Sequence, residues 1–293
     1  MGAPMARHLA RAGHRLTLLD ADRARTEALA AELGASAADT PAAVAAASEV
    51  VITMLPDGQV VHQVACGDAG LVQGWRDGAL LLDCSSAEPW LTKRTVQALA
   101  ARGGSMVDAP VSGAAWGAAE AALVFMVGAS AADLQRVQPL LQAMGRQVHH
   151  LGPLGSGHAM KCLNNCVTAM TFVATTEALL AGRRAGLDPR AMVAVLNDST
   201  GGSWITRTHY EQRVFNRAFD DPFRLSLMLK DVGIALQLAA EAGAPMPMAQ
   251  HGVGLWRQAD QAAGPGASVS ELVRWFEQQA GTELVPAPPP PSA

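Results

Sequence analysis

The chain has 293 residues, of which 49% are hydrophobic and 16% charged, so it is long enough for two domains with their own cores. Its 22 basic and 26 acidic residues give a net charge of −4, and only 4% of the residues are aromatic, which excludes an extended nucleic-acid-binding surface. No apolar run approaches the roughly 18 residues that span a bilayer, and no signal peptide is visible. We therefore expect a soluble cytoplasmic protein.

The four cysteines are Cys66, Cys84, Cys162 and Cys166, and they show no C-x-x-C spacing. Cys162 and Cys166 could share a helix face, but no cluster of histidines and cysteines accompanies them. The pattern favours buried, reduced thiols over a metal site, as is typical of cytosolic proteins.

The first half of the chain alternates helical and strand patterns. A helix over 4–12 is followed by Gly13, a strand over 14–20, and a helix over 22–33 that ends at Gly34. Further apolar runs, each expected to be a strand, occupy 49–56, 78–86, 105–113, 123–128 and 147–152. Such runs indicate a parallel sheet covered on both faces, with ligands at the carboxyl ends of its strands.

The second half shows only helical patterns. A helix of about thirty residues, His158 to Gly186, would extend roughly 40 Å at ~1.5 Å per residue. Further helices are predicted over 188–198, 203–217, 223–242, 247–263 and 268–280. We expect domains over 1–154 and 155–284, followed by a proline-rich disordered tail over 285–293.

The opening stretch "MGAPMARHLARAGHRLTLLD" is typical of the second half of a dinucleotide-binding unit. Asp20, at the predicted strand end, could accept hydrogen bonds from the adenosine ribose of NAD and repel the 2′-phosphate of NADP. Alternatively, Asp20 caps the helix that begins at 22. Arg23 and Arg25 could instead bind the 2′-phosphate, so the sequence favours NAD and leaves NADP open.

Two further stretches carry candidate chemistry. In "DAPVSGAAWG" (108–117), Ser112 and Gly113 follow a strand, where successive N–H groups can bind a carboxylate; a plain turn is the alternative. In "GPLGSGHAMKCLNN" (152–165), Lys161 and Asn165 lie on one helix face, with Asn164 beside them. A desolvated lysine has a lowered pKa and can transfer a proton near neutral pH; a solvated lysine is the alternative.

With these motifs the chain resembles the β-hydroxyacid dehydrogenase family over residues 1 to about 280. The resemblance is carried, in order, by "MGAPMARHLARAGH", "VVITMLPD", "LLDCSS", "DAPVSG", "GSGHAMKCLNN" and "FRLSLMLKDV". It implies a Rossmann-type α/β domain, a long interdomain helix and an all-helical domain that mediates a homodimer or homotetramer. It also implies hydride transfer between NAD or NADP and a small β-hydroxy carboxylate of the 3-hydroxyisobutyrate or tartronate semialdehyde type.

The resemblance also implies residue roles. Lys161 is the catalytic acid/base, and the substrate carboxylate is bound by the segment Ser112, Gly113 and Ala114 together with Asn165. The remaining matches are cofactor-binding positions, to which Asp20 is added: Met1, Gly2, Leu55, Pro56, Ser86, Phe223, Lys230 and Asp231.

The chain departs from the family pattern in several places. Family members begin with a strand and G-x-G just before Met1–Gly2, so we expect that roughly ten residues are missing, through a misplaced start codon or a true truncation. Ala114 replaces a second glycine, "AAL" (121–123) replaces G-x-L, and "GPGASVSEL" (264–272) lacks a usual acidic residue. These changes bear on the choice of substrate.

Other functions remain as alternatives. 6-Phosphogluconate dehydrogenase has a similar glycine-histidine-lysine region, including the match to His158, but is much longer and binds a sugar phosphate. Imine-reducing relatives typically lack the lysine. A non-catalytic oligomeric or ligand-binding relative with an impaired cofactor site is the alternative from another class. Trp116, Trp204 and His209 could line a substrate pocket, with core or surface positions equally compatible.

Overall fold

Strands and helices alternate in the first half of the molecule, and helices make up the second half. The computed structural model describes residues 1–287. These residues form two compact units, Met1–Lys161 and 162–287. The boundary lies within the long helix α9 (Ser156–Arg184), whereas the sequence placed it at 154, ahead of that helix. The first turns of α9 belong to the first unit because they pack against its strand ends.

The first unit contains eight strands among its described residues. They are β1 (Thr17–Leu18), β2 (Ser36–Ala37), β3 (Val50–Thr53), β4 (Leu80–Asp83), β5 (Ser105–Asp108), β6 (Val111–Ser112), β7 (Leu123–Gly128) and β8 (Gly145–Gly152). The helices between them are α1 (Gly2–Arg11), α2 (Arg23–Leu33), α3 (Pro41–Ala47), α4 (Gly58–Cys66), α5 (Leu71–Gly74), α6 (Pro89–Ala100), α7 (Ala114–Ala119) and α8 (Ala131–Met144). The predicted strand over 14–20 is shortened to β1, which pairs only with β2 among the described strands.

The main sheet has six strands and is mixed. Strands β3, β4 and β5 are parallel and in register, whereas β7 is antiparallel to β5 and β6, and β8 is parallel to β7. The expectation of a parallel sheet is therefore wrong for the part of the sheet that contains β6, β7 and β8. The connection between β6 and β7, residues 113–122, is shorter than the dozen or more residues that a parallel crossover requires.

Both faces of the sheet are buried, as the continuous apolar runs predicted. Successive residues of β4 point to opposite faces: Leu80 and Leu82 belong to one hydrophobic cluster and Leu81 to another, and all three are fully buried. The carboxyl ends of β3, β4 and β5 consequently meet at one edge of a rigid scaffold.

The second unit is helical, as predicted. Its helices after α9 are α10 (Pro189–Asp198), α11 (Trp204–His209) continued by a π-helical turn (Tyr210–Val214), α12 (Leu225–Glu241), α13 (Pro247–Ala263) and α14 (Glu271–Ala280). Within its described residues, β pairing is limited to a single bridge between Arg224 and Ser268. Phe172 lies at the centre, with its ring centroid 6.1 Å from those of Tyr210 and Trp256.

Two further expectations from the sequence concern membrane-spanning helices and the C-terminal tail. None of the helices in the described residues has both the length and the apolar character needed to cross a membrane. The predicted disordered tail over 285–293 lies outside the described residues from 288 onward.

Candidate active site

The carboxylate of Asp108, at the end of β5, holds the start of α9. Its Oδ1 accepts a hydrogen bond from the N–H of Gly155 and its Oδ2 from the N–H of His158, both at 2.7 Å. Gly155 has φ of +94°, and a Cβ at Gly157 would lie 2.2 Å from the Met126 carbonyl oxygen. The glycines therefore permit a close approach that fixes the helix start against the sheet.

Asp83 occupies the matching position on β4, where it is in register with Thr53 and Asp108. Its Oδ1 accepts hydrogen bonds from Thr53 Oγ1 at 2.9 Å and from the N–H of Ser85 at 3.0 Å. Its Oδ2 lies 3.5 Å from Nε2 of His158. Three neighbouring strand ends are thus linked by two buried carboxylates.

Burial has an electrostatic consequence for Asp108. It raises the pKa of the Asp108 carboxyl, because the loss of hydration outweighs attraction from His158 and the hydrogen bonds from Gly155 and His158. The N–H donors compensate part of the cost of placing a carboxylate in the protein interior.

The substrate-binding turn predicted from Ser112, Gly113 and Ala114 joins β6 to α7. Ser112 ends the strand and is half-buried, whereas Gly113 and Ala114 are exposed. Gly113 has φ of +124° and Ala114 has φ of +53°, a left-handed conformation that costs a non-glycine residue roughly 1–2 kcal/mol. The alanine thus keeps a left-handed conformation where the family pattern has glycine, and such strain is typical of functional turns.

The start of α1 provides the candidate pyrophosphate site. Met1 is the N-cap residue and makes no side-chain capping hydrogen bond, and both Met1 and Gly2 are exposed. The N–H groups of a first helical turn have no partner inside the helix, and the helix dipole favours an anion there. This donor set fits the pyrophosphate of NAD or NADP.

The loops that follow β3 and β4 carry three more candidate cofactor residues, Leu55, Pro56 and Ser86. The N–H of Leu55 donates to Ser85 Oγ at 2.9 Å, and the N–H of Gly58 donates to Glu88 Oε2 at 3.0 Å. Pro56 is exposed and Ser86 is half-buried. These bonds hold the two loops side by side at the carboxyl edge of the sheet.

Asp20 lies in the turn between β1 and α2. Asp22, and not Asp20, caps α2, because its side chain accepts hydrogen bonds from the N–H groups of Ala24 and Arg25. Asp20 Oδ1 accepts a hydrogen bond from the N–H of Asp22 at 2.9 Å, and its side chain remains exposed. Capping of α2, the alternative role considered for Asp20, is therefore performed by Asp22.

The two arginines beside Asp20 are engaged with carboxylates. Arg23 pairs with Glu27, with 2.7 Å between Nε and Oε1, and also with Asp39. Arg25 Nε lies 3.1 Å from Asp22 Oδ2.

In the second unit, Asp231 connects two of the predicted site residues. Its Oδ2 accepts a hydrogen bond from Asn165 Nδ2 at 2.5 Å, and its Oδ1 lies 3.1 Å from Nζ of Lys230. Asn165 Oδ1 accepts from Asn164 Nδ2 at 3.1 Å, so the orientation of the Asn165 amide is fixed on both sides. Burial, together with the negative charge of Asp231, raises the pKa of Cys162 to about 12, which makes this thiol unreactive.

The remaining predicted site residues differ in burial and lie in both units. Phe223 is half-buried just before α12, with its N–H donating to Asp221 Oδ1 at 2.7 Å. Trp116 and Trp204 are 72% and 62% exposed, whereas His209 is buried beside Ser270 in the core of the second unit. Lys161 is half-buried and lies one helical turn before Asn165 on α9.

Sequence reasoning missed the network around His158. Asp83 and Asp108 each end an apolar run, "LLLD" and "SMVD", and this shared ending is the signal that could have placed them side by side. The spacing of His158 and Lys161 on α9, three residues, could then have connected the network to the predicted acid/base.

Comparison with known proteins agrees with this arrangement. Residues 1–152 match the NAD binding domain of 6-phosphogluconate dehydrogenase, and residues 155–276 match the NAD-binding domain of NADP-dependent 3-hydroxyisobutyrate dehydrogenase. The 3-hydroxyisobutyrate dehydrogenase of Pseudomonas aeruginosa is 37% identical over 85% of both chains. The 2-hydroxy-3-oxopropionate reductase of Escherichia coli is 34% identical over 97% of this chain and 96% of its own.

A solved structure extends the agreement to the fold. The 3-hydroxyisobutyrate dehydrogenase of Mycobacterium tuberculosis with L-serine has a TM-score of 0.85 and 30% identity, over 94% of this chain and 95% of that one. Together with the motifs on α1, β6–α7 and α9, these matches establish that the chain belongs to the β-hydroxyacid dehydrogenase family of NAD(P)-dependent oxidoreductases.

Proposed function

We propose that this protein oxidises the C3 hydroxyl of a small 3-hydroxycarboxylate to the aldehyde, with Lys161 as general base. The observation that carries the proposal is the placement of Lys161 and Asn165 one turn apart on a helix whose start is fixed by a buried carboxylate. The small molecules for which these relatives are named, or with which one was solved, share one chemical class. 3-Hydroxyisobutyrate, 2-hydroxy-3-oxopropionate and L-serine each combine a carboxylate, a small C2 substituent and an oxygen at C3.

Each site residue then has a role. Nζ of Lys161 accepts the proton of the C3 hydroxyl, while the N–H groups and hydroxyl of the Ser112–Gly113–Ala114 turn bind the carboxylate. The Asn165 amide, oriented by Asp231 and Asn164, adds a polar contact to the substrate. Holding the carboxylate in this way presents C3 in a reactive geometry.

The cofactor we propose is NAD, which accepts the hydride from C3 when bound. Met1, Gly2, Leu55, Pro56, Ser86, Phe223, Lys230 and Asp231 are its further proposed contacts. Around Asp20 the protein places three more carboxylates, Asp22, Glu27 and Asp39, against the two guanidinium groups of Arg23 and Arg25. A 2′-phosphate, which carries about −1.5 to −2 charges, would enter an already acidic region.

The cofactor proposal is tested by comparing kcat/KM for NAD and NADP. We expect NAD to be preferred and Asp20→Ala to reduce the preference by removing a ribose acceptor and a repulsive charge. Arg25→Ala is the matched control, since it removes a neighbouring charge without touching the proposed ribose contact. A clear preference of the wild-type protein for NADP would contradict the proposal.

We also propose that the protein is a homo-oligomer that works in a reducing compartment. Val167, Val195 and Met248 are large apolar side chains exposed on the second unit, and all four cysteines are free thiols. Light scattering after size-exclusion chromatography measures the assembly, and a monomer at micromolar concentration would contradict the oligomer.

The central experiment is a Lys161→Ala variant assayed with 3-hydroxyisobutyrate, L-serine and 2-hydroxy-3-oxopropionate. We expect turnover to fall by roughly 10²–10⁴-fold, the usual contribution of a general acid/base. Cofactor affinity should change little, because the lysine acts on the reacting oxygen. Turnover close to wild type would contradict the mechanism, and a wild-type protein that binds NAD but turns over none of the three would favour a non-catalytic relative.

A further inference from the structure

The ring of His158 is fully buried, and both of its nitrogens face polar groups of the first unit. Nδ1 lies 2.7 Å from Thr92 Oγ1, on α6, and Nε2 lies 3.5 Å from Asp83 Oδ2, at the end of β4. Among the described residues neither Asp83 Oδ2 nor His158 Nε2 has a hydrogen-bond partner at ordinary distance, and the two atoms lie 3.5 Å apart. The ring therefore has little freedom to rotate.

The backbone of His158 is fixed by a third element. Its N–H donates to Asp108 Oδ2 at the end of β5, so a single residue connects α9 to β4, β5 and α6. Thr92 Oγ1 also lies 3.1 Å from the carbonyl oxygen of Glu88, to which it can donate. When it donates instead to Nδ1, the ring proton lies on Nε2 and is directed at Asp83 Oδ2, so Thr92 and Asp83 together define the ring orientation.

Lys161 follows His158 by three residues on the same helix. Residues three apart lie on the same side of an α-helix in successive turns. Any rotation or shift of the first turn of α9 would therefore displace the stem of the lysine by a similar amount. Asp108 accepts from the N–H groups of Gly155 and His158 at the start of the helix, whereas the His158 side chain, between Thr92 and Asp83, opposes rotation of the helix about its axis.

We propose that His158 is a positioning residue for Lys161: enclosed between Thr92 and Asp83, it fixes the rotation of the first turns of α9 and so the direction in which the lysine leaves the helix. This inference rests on the proposed acid/base role of Lys161. Misplacement of a reacting group by about 1 Å can cost roughly 10²-fold in rate, which sets the size of the expected effect.

The kinetic test compares wild type, His158→Ala and His158→Gln. In His158→Ala we expect kcat to fall by roughly 10²-fold, while KM for the carboxylate and Kd for NAD stay within about threefold. His158→Gln keeps a polar group that can contact Thr92 or Asp83, and should recover most of the lost kcat. His209→Gln is the matched control, because it replaces a similarly buried histidine in the second unit.

A primary deuterium isotope effect on kcat distinguishes positioning from loss of folded protein. With substrate deuterated at C3, a misplaced base slows the chemical step, so the isotope effect in His158→Ala should rise. Partial unfolding lowers kcat by reducing the amount of active enzyme and leaves the isotope effect unchanged. An unchanged isotope effect, or an equal loss of kcat in His209→Gln, would overturn the proposal.

A second measurement needs no turnover. The sequence contains three lysines, Lys93, Lys161 and Lys230, so ¹³C-dimethylation gives a spectrum simple enough to assign with Lys161→Arg. We expect one narrow Lys161 signal in wild type and His158→Gln, and a shifted or split signal in His158→Ala, with Lys230 unchanged. Identical Lys161 signals in all three proteins would overturn the inference.

The outcomes separate this inference from the proposed function. If Lys161→Ala retains wild-type turnover, the acid/base role fails, whatever His158 does. If Lys161→Ala is inactive but His158→Ala has normal kcat, the proposed function stands and the positioning role alone is contradicted.

Discussion

Each unit of the molecule buries one histidine among its described residues, and the two rings share burial and a hydroxyl partner but differ in their other surroundings. His158 in the first unit is 1% exposed and His209 in the second is 3% exposed. Each has a hydroxyl partner, Thr92 Oγ1 at 2.7 Å from His158 Nδ1 and Ser270 Oγ at 3.1 Å from His209 Nε2.

The difference lies in what surrounds the two rings. His158 lies where strands end, with Asp83 and Asp108 as neighbours and Lys161 one turn further along its helix. His209 packs edge-on against the ring of Phe172, with 4.7 Å between ring centroids, and its Nδ1 lies 3.6 Å from Asp221 Oδ2 within the helical second unit. Burial therefore does not identify a functional histidine. The proposed positioning role of His158 rests instead on its place at the strand ends, three residues before Lys161 on α9.

Titration of His209 gives the largest effect expected from this comparison. Burial lowers the pKa of His209 to about 4; the positive charge of Arg213 acts in the same direction, and the carboxylate of Asp221 opposes it. In the unfolded chain the histidine binds a proton near pH 6.5, so between pH 6.5 and 4 acid favours the unfolded state. We expect this residue alone to remove about 3 kcal/mol of the free energy of unfolding between pH 7 and pH 4.

The measurement is urea unfolding of wild type and His209→Gln from pH 7 to pH 4. Acidic residues titrate in both proteins, so the informative quantity is the difference in unfolding free energy between them. This difference should shift in favour of the variant as the pH falls, by about 3 kcal/mol in total. Parallel curves would show that His209 does not titrate below its ordinary range.

The sequence predicted those structural features that depend on residues close to one another along the chain. The continuous apolar run "ALLLD" predicted a strand buried on both faces, because successive side chains of a strand point to opposite faces of the sheet. The helix of Lys161 and Asn165 followed from its uninterrupted pattern. Such features depend on neighbours within a few residues.

Features that depend on distant pairing could not be predicted. The antiparallel β7 follows from the short segment 113–122, whose path only the folded chain defines. The network of His158 joins residues up to 75 positions apart, Asp83 and His158; the shared endings of the two strands could place the carboxylates side by side, but only the folded chain brings the histidine to them. That Asp22 caps α2, and not Asp20, depends on where β1 ends, and strand ends are set by pairing.

A pair of hydroxyl deletions gives the smallest expected effect and the sharpest comparison. Thr92→Val and Ser270→Ala each remove the hydroxyl partner of a buried histidine, and each hydroxyl has one other polar contact, to Glu88 or to Ser268. Each substitution should lower the free energy of unfolding by about 1–2 kcal/mol, since each leaves a buried ring nitrogen without its partner. Stability alone therefore cannot distinguish them.

Turnover should distinguish them, because only one of these hydroxyls bears on Lys161. Thr92→Val releases one end of the His158 ring while Asp83 still holds the other, so we expect kcat to fall several-fold, less than the roughly 10²-fold of His158→Ala. Ser270→Ala leaves the first unit unchanged and should keep wild-type kcat. Urea unfolding and steady-state kinetics on the same preparations give both quantities. If the two variants lose stability and kcat in equal proportion, then the hydroxyls act through folding alone, and the distinction between the two histidines is one of surroundings and not of function.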